Sequence, residues 1–317
     1  MLISGNSLRF PAWLILSATL SGCTGGPGGT LPFWKSAPPP KAEGSASPAS
    51  AETQIARAYY QRVEANYLAQ GLLRTDGGGV DTPFGARELA ENFLRIVFFN
   101  EFSDEAGRLV ASSAPNRLHR WQEPVRIAVE FGPTVPDDQR LSDLTQITDY
   151  VARLSRLSGH PMRVTDNAPN HTVLIQNIDE RQDAARRILE IAPDTGAGAL
   201  RSVTAMKPDI YCTVFAFTPG DSAIYDRAVT IIRAELPDTL RLACIHEELA
   251  QSLGLVDDSP KARPSIFNDN QEFALLTKQD ELMLKMLYDP RLTPGMTLRE
   301  ARPIVEGIAR ELIGGES

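Results

Sequence analysis

The stretch Val125-Arg-Ile-Ala-Val-Glu-Phe131 alternates apolar and polar side chains. A period of two is typical of a β-strand that buries one of its faces. A helical pattern follows over 141–157, and Gly159 lies just beyond its end. A strand followed by a crossover helix is the repeating unit of an α/β fold. This segment therefore predicts that a mixed, mostly parallel sheet with crossover helices begins near residue 123.

The same alternation of strands and helices continues toward the C-terminus. Further strands are predicted at 162–165, 171–178, 210–217 and 224–232, and further helices at 180–191 and 239–253, with a last core helix at 278–288. Residues 192–207 contain two glycines and are predicted to form a loop. Asp238 is well placed to cap the helix at 239–253, and Gly254 to terminate it. Thr277 and Asp280 form a capping-box-like start of the helix at 278–288.

The N-terminal third of the chain divides into three segments. Residues 1–22 read as a signal peptide, and 23–50, rich in Gly and Pro, read as a tether that cannot build a core. Residues 51–122 contain helical patterns at 51–73 and 85–102. We therefore expect a helical extension over 51–122 that packs on the α/β domain formed by 123–317.

Charge and composition exclude several functional classes. The chain has 32 Lys and Arg against 40 Asp and Glu, which gives a net charge of −8. An acidic chain without a basic cluster argues against nucleic-acid binding. With 42% hydrophobic and 23% charged residues, the chain has a globular composition rather than that of a disordered or fibrous protein.

The end of the signal segment, Leu20-Ser-Gly-Cys23, resembles the bacterial lipobox. That resemblance implies lipidation of Cys23 and an exported, periplasm-facing protein held at a membrane by its lipid anchor. Thr24 follows the cysteine, and by the same resemblance it favours the outer over the inner membrane. The alternatives are an ordinary signal peptide cut nearby and an uncleaved anchor.

Once Cys23 is set aside, two cysteines remain, Cys212 and Cys244. An exported compartment favours oxidation. The first lies on a predicted strand and the second on the first turn of a helix that such a fold packs against its sheet. We therefore expect a disulfide between them, the alternative being two buried free thiols.

Residues 244–258 pose the question of chemistry. His246-Glu247 begins like the zinc-protease motif H-E-x-x-H, but Ala250 stands where the second ligand belongs. Shifted by one residue, Glu247-Glu248-x-x-Gln251-x-x-Gly254-x-x-Asp257 resembles the metzincin pattern H-E-x-x-H-x-x-G-x-x-H/D. Positions four apart share one helix face, and the glycine lets a residue three further on return to that face.

The metzincin resemblance implies a set of roles for these residues. Glu247, Gln251 and Asp257 stand at the metal-ligand positions, and Glu248 at the position of the catalytic general base. The element order before the motif is similar to that of metzincins, and Pro264-Ser-Ile-Phe267 occupies the place of their Met-turn. Glutamate, glutamine and aspartate provide oxygen ligands, which suit calcium or magnesium better than zinc. We expect no cofactor, and any zinc or calcium to be held weakly.

A second resemblance covers three longer runs. They are Glu-Glu-Leu-x-Gln-x-Leu-Gly-Leu from residue 247, Arg-Pro-Ser-Ile-Phe-Asn-Asp from residue 263, and Leu-Tyr-Asp-Pro-Arg-Leu-x-Pro-Gly-Met from residue 287. Together they are similar to a family of bacterial envelope proteins, the domain of unknown function 2927.

These observations lead to one functional expectation and two alternatives. The expectation is a degenerate metallopeptidase domain, without zinc-binding histidines, that serves as a non-catalytic binding or assembly component for an envelope protein or peptide. One alternative is an atypical metallopeptidase with Glu248 as general base. The other is that Glu247, Glu248 and Gln251 are only the solvated face of an amphipathic helix. We expect these three side chains to share one face and Asp257 to return toward it. A hydrogen bond to Gln251 or a nearby basic residue such as Arg263 is expected to relieve the repulsion between the two glutamates.

Overall fold

The structure of the protein is a computed structural model that describes residues 47–100, 102–105, 108–111, 114–268 and 270–314, with 102–105 and 108–111 described by their backbone alone. The predicted signal peptide, Cys23 and most of the tether lie outside these residues. The helices are α1 (Ala51–Ala69), α2 (Ala86–Val97), α3 (Asp137–Ser158), α4 (Arg181–Ile191), α5 (Ala197–Thr204), α6 (Asp238–Gln251), α7 (Lys278–Leu287) and α8 (Leu298–Gly314). The strands are β1 (Phe102–Glu105), β2 (Arg108–Ala111), β3 (Arg120–Trp121), β4 (Val125–Phe131), β5 (Met162–Val164), β6 (His171–Gln176), β7 (Cys212–Phe217), β8 (Ile224–Tyr225) and β9 (Arg227–Arg233).

The main sheet has five strands in the order β5-β4-β6-β9-β7. Strands β5, β4, β6 and β9 run parallel, and β7 pairs antiparallel with β9 at one edge. The prediction of an α/β fold with a mixed, mostly parallel sheet is confirmed. Two small pairings, β1 with β2 and β3 with β8, lie outside this sheet.

The central strands are apolar on both faces, as strands covered by helices on both sides must be. One face of β6 and β9 carries Leu174 and Ile231 and packs with the apolar residues of α4 and α5. The other face carries Val173 and Ile232 and belongs to the larger core, which includes residues of α2, α3, α6 and α7. Helix α6 begins shortly after β9 and packs on β7 and β9 within this larger core, to which α2 also contributes.

Two element predictions at 192–207 and 224–232 are wrong in detail. Residues 197–204, within the predicted loop at 192–207, form α5, which Gly196 precedes in an extended conformation. Val203 of this helix is fully buried in the smaller core, and that packing outweighs the low helix propensity of Gly198. The single predicted strand at 224–232 is divided into β8 and β9.

Other differences lie at the ends of helices. The pattern at 85–102 predicts one long helix, but α2 ends at Val97 and the hairpin β1–β2 follows. No helix was expected beyond 288, yet α8 forms despite an internal Pro303, because its apolar face packs on α2 and α7. Asp238 is not the cap of α6, since Pro237 holds that position and the Glu64 carboxylate of α1 accepts the Leu240 N–H at 2.9 Å.

The described residues from 47 to 314 belong to one compact unit, in which α2 contributes Leu89, Phe93 and Ile96 to the larger core. A domain boundary near residue 122 stays a prediction. Among the residues that the structure describes, no helix has both the length and the apolar character needed to cross a bilayer.

The predicted disulfide is confirmed. Cys212 at the start of β7 and Cys244 in α6 are joined with their Cα atoms 5.9 Å apart. The bond ties the edge strand of the sheet to α6.

Cys212→Ala combined with Cys244→Ala should lower the free energy of unfolding by about 4 kcal/mol, because the chain-entropy account assigns that value to a loop of this length. Urea unfolding with and without reductant measures the effect, and the double variant should be insensitive to reductant. Cys23→Ala is the control and should unfold like the wild type. Two reactive thiols from Cys212 and Cys244 in denatured, non-reduced protein would contradict the bond.

A second prediction concerns pH. His171 on β6 is fully buried, and burial lowers its pKa from 6.5 to about 3. Only the unfolded chain takes up this proton between those values, so stability falls as the pH drops below 6.5, by ~1.4 kcal/mol per pH unit for this histidine. Denaturant unfolding of His171→Gln between pH 6 and 4 should therefore show a slope smaller by that amount than the wild type. Equal slopes would refute the assignment.

Candidate functional site

Glu247, Glu248 and Gln251 all lie on the last turns of α6. Glu248 is only 5% exposed and Gln251 only 7%, while Glu247 is half-buried. The interpretation of these three side chains as a solvated helix face is therefore wrong for Glu248 and Gln251. Glu247 and Gln251 are one helical turn apart, so the helix presents them on the same side.

The chain turns sharply after α6 at Gly254. Its φ is +123°, and a Cβ at this position would lie 2.3 Å from the carbonyl oxygen of His119. No other residue fits here without displacing backbone. The glycine that the sequence pattern singled out is thus required by a close backbone approach.

Asp257 follows this turn and is 3% exposed. Its backbone N–H donates to the carbonyl of Ile96 at 3.0 Å, and its Oδ2 lies 2.9 Å from Nη1 of Arg95. Arg95 also lies over the ring of Phe99 at 4.6 Å, which fixes the guanidinium. These contacts place Asp257 against the end of α2. The expected return of Asp257 toward Glu247 and Gln251 stays a prediction.

His246, beside the motif, has a structural role. Its ring stacks on Tyr150 at 3.9 Å, and the Tyr150 hydroxyl donates to its backbone carbonyl at 2.8 Å. The Leu276 N–H donates to Nδ1 at 3.1 Å, so Nε2 carries the proton of the neutral ring. Burial first, and the nearby Arg153 charge second, lower the His246 pKa to about 3. The imidazole is therefore neutral, and its contacts are structural.

The turn at 264–267 is anchored by Asp280, a fully buried residue at the start of α7. Its carboxylate accepts hydrogen bonds from the Ser265 hydroxyl at 2.5 Å, the Ile266 N–H at 3.0 Å and the Thr277 N–H at 2.9 Å. Thr277 and Asp280 also form the predicted capping box. Despite these donors, burial raises the pKa of Asp280 to about 6.

A second link joins the same turn to α2. The Gln279 side chain donates to the Pro264 carbonyl at 2.8 Å, and Asn92 of α2 donates to Gln279 at 2.8 Å. Sequence patterns pointed to the cap but not to this chain of amides, because its members are far apart in sequence.

Which group balances the charges of Glu247 and Glu248 stays a prediction. Arg263 makes a two-pronged ion pair with Glu272, at 2.7 and 2.8 Å, and lies 4.0 Å from Asp81. Arg95, which the sequence analysis did not single out, is the arginine that pairs with Asp257. No local signal marks Arg95, since it lies on a different helix far upstream.

Glu247, Gln251 and Asp257, which the metzincin resemblance places at ligand positions, do not form a donor set that fits zinc. They offer no imidazole or thiolate, which zinc prefers, and the oxygen of Asp257 already faces a guanidinium. Within the part of the chain that the structure describes, no three His, Cys, Asp or Glu side chains are grouped so that they could hold a metal ion. What the arrangement offers instead is a rigid, largely buried set of polar side chains at the end of α6.

Comparison with known proteins agrees with the second sequence resemblance. The sequence model of the family described as protein of unknown function DUF2927 matches residues 86–307, well over half of the chain. No curated protein and no solved structure matches the chain. The matched range runs from the first residue of α2 into α8 and contains both Arg95 and Asp257, and on this match the chain belongs to the DUF2927 family.

Proposed function

We propose that the protein is a cell-envelope lipoprotein with a zincin-like domain that no longer uses zinc and that acts as a non-catalytic binding or assembly component. The ion pair between Arg95 and Asp257 carries this proposal. Asp257 stands at the third ligand position of the metzincin-like pattern. A guanidinium is always charged in proteins, so it opposes the approach of a metal cation to the same carboxylate.

The state of the other motif residues supports the same conclusion. Glu247 and Gln251 replace the two helix histidines, and Glu248, which would act as general base, is 5% exposed. His246, the only imidazole on α6, is neutral and held by Tyr150 and Leu276. In this state, none of these side chains is suited to activating a metal-bound water.

The element order supports the zincin-like part of the proposal. Along the chain, β4 is followed by α3, then by β5, β6, β7 and β9, and then by α6, with α4, α5 and β8 as additional elements between the later strands. This is the order on which the resemblance rests. Gly254 makes the turn that the pattern requires, and the 264–267 turn is packed with Phe267 fully buried.

An extended peptide of an envelope protein is the kind of partner we propose. Strand β7 is the antiparallel edge of the main sheet, and within the described residues no strand pairs with its outer side. All six of its side chains are half-buried. Such an edge can accept a further strand through backbone hydrogen bonds.

The disulfide supports the envelope location. Disulfides persist in oxidising compartments such as the periplasm and are rare in the cytosol. The Cys212–Cys244 bond therefore agrees with an exported protein, as the lipobox-like Leu20-Ser-Gly-Cys23 suggests.

The purified full chain should bind no stoichiometric zinc and cleave no peptide in a chelator-sensitive way, because its ligand positions carry Glu, Gln and an arginine-paired Asp. Metal analysis, zinc calorimetry and a mixed-peptide cleavage assay measure this, with Glu248→Ala behaving as the wild type in the assay. One tightly held zinc, together with cleavage that is lost on chelation and in Glu248→Ala, would establish the peptidase instead.

A variant designed to gain zinc affinity tests the zincin-like geometry. Glu247→His combined with Gln251→His restores the two imidazoles one turn apart and should raise zinc affinity by roughly tenfold or more. Glu247→His combined with Gln251→Ala is the matched control and should show no such gain. A folded double-histidine variant that binds zinc no better than this control would reject the zincin-like site.

The lipid anchor yields a separate prediction. Cys23→Ala should move the protein from the membrane to the soluble fraction of the envelope, because a cysteine thiol carries the acyl chains and stable anchoring needs more than one chain. Cell fractionation and mass spectrometry of the mature N-terminus measure it, with Cys23→Ser as a second variant. Unchanged membrane association in both variants would show that the anchor lies elsewhere.

A further inference from the structure

A groove separate from the α6 motif lies between the segment 115–119 and the first turn of α8. Its volume is about 570 Å³. Arg117 and His119 line one wall, and Thr297, Leu298 and Arg299 line the other. Only the backbone carbonyl of His119 touches the α6 motif, at Gly254, and the side chains that line the groove have no role in the function proposed above. The groove is therefore argued independently of that function.

The charge of this groove is opposite to that of the chain. The protein has a net charge of −8, yet the described residues that line the groove include two arginines, one histidine and no acidic side chain. Arg117 and Arg299 are both exposed, and among the described residues Glu300 interacts with them electrostatically without forming a direct ion pair. The groove therefore presents two guanidinium groups to solvent.

One carboxylate lies close to these arginines. Both Arg117 and Arg299 contribute to lowering the pKa of Glu300, although hydrogen bonds from Thr297 are the larger cause. The Oε2 atom of Glu300 accepts the Thr297 N–H at 2.9 Å and the Thr297 hydroxyl at 2.7 Å. Its carboxylate caps α8 and leaves the donor groups of both arginines available.

The two walls are held at a fixed separation. The Leu118 N–H donates to the Met296 carbonyl at 2.9 Å, and the Gly295 N–H donates to the Leu118 carbonyl at 2.8 Å. The Asn116 N–H donates to the Phe98 carbonyl at 2.7 Å, which fixes the first wall on the core. A groove that is already formed loses little conformational entropy when it binds a ligand.

We infer that this groove binds the phosphoryl group of a small organic phosphate, with Arg117 and Arg299 donating to it from the two walls. The planar guanidinium fork matches phosphate and carboxylate oxygens. A phosphoryl group has three terminal oxygens and carries more negative charge than a carboxylate, so it suits two guanidinium groups that approach from opposite walls better than a carboxylate does.

The volume of the groove indicates that the ligand is larger than a phosphate ion. Small-molecule sites have volumes of ~300–1,000 Å³, and inorganic phosphate would leave most of this groove unfilled. The phosphoryl group is thus expected on a larger organic molecule, either a soluble phosphate ester or the headgroup of a phospholipid. Both sources share the chemistry that the arginines recognise.

Calorimetry on the purified full chain in detergent tests the site, with glycerol 3-phosphate, dihexanoyl phosphatidylglycerol and acetate as probes at constant ionic strength. Arg117→Gln combined with Arg299→Gln should weaken the binding of the phosphate probe by roughly tenfold or more, because charge-assisted hydrogen bonds are lost. Arg62→Gln combined with Arg156→Gln removes the same charge from exposed positions on α1 and α3 and should leave binding within about twofold. Thermal unfolding verifies that both double variants fold.

The outcomes separate the ligand sources and can overturn the inference. Tighter binding of glycerol 3-phosphate supports a soluble ester, and tighter binding of the lipid supports a headgroup. If neither phosphate probe binds, if acetate binds as tightly as they do, or if both double variants weaken binding equally, the groove is not a phosphoryl site.

Discussion

The buried carboxylate of Asp280 is the interaction on which the surroundings of α6 depend. It accepts hydrogen bonds from Ser265, Ile266 and Thr277, and so it joins the 264–267 turn to the start of α7. The carboxylate is fully buried, and burial raises its pKa to about 6 although several donors stabilise the charged form. Replacing the carboxylate with an apolar group would leave those donors unsatisfied in the core, at a cost of about 1–3 kcal/mol each.

Helix α6 is fixed along its whole length by contacts of different kinds. Glu64 caps its first turn, and Arg241 forms an ion pair with Asp143 at 2.8 Å, with both side chains almost fully buried. The disulfide attaches its middle to β7, and Tyr150 holds His246 near its end. A helix held in this way keeps Glu248 and Gln251 in one arrangement, which suits recognition by a preorganised surface.

The sequence predicted the elements whose patterns are local. Strand β4 was predicted with its observed ends, and α6, α7 and the capping box at Thr277 were found because their apolar periods and caps lie within a few residues of each other. The disulfide was predicted because an oxidising compartment was expected and only Cys212 and Cys244 remain once Cys23 is set aside. These features need no knowledge of which distant segments meet.

What the sequence did not reveal depends on long-range contacts. Helices α5 and α8 contain glycine or proline, and their formation is decided by packing on α4 and α2 rather than by propensity. Arg95 carries no signal of its own, because its importance arises only when the fold brings α2 to the segment after Gly254. The Asn92–Gln279–Pro264 chain was hidden for the same reason.

In the zincin-like domain proposed above, the pairing of Arg95 with Asp257 takes the place of a metal ion's charge. A carboxylate that is 3% exposed needs a compensating positive charge, and in a metal site the cation supplies it. Here a guanidinium held over Phe99 supplies it from α2. Because the charge is covalently attached to the fold, the arrangement does not depend on metal supply, and a zinc ion would have to compete with a group that cannot diffuse away. In the function proposed above, the glutamate and glutamine at positions 247 and 251 and the presence of Arg95 act in the same direction, and both support the proposed binding role.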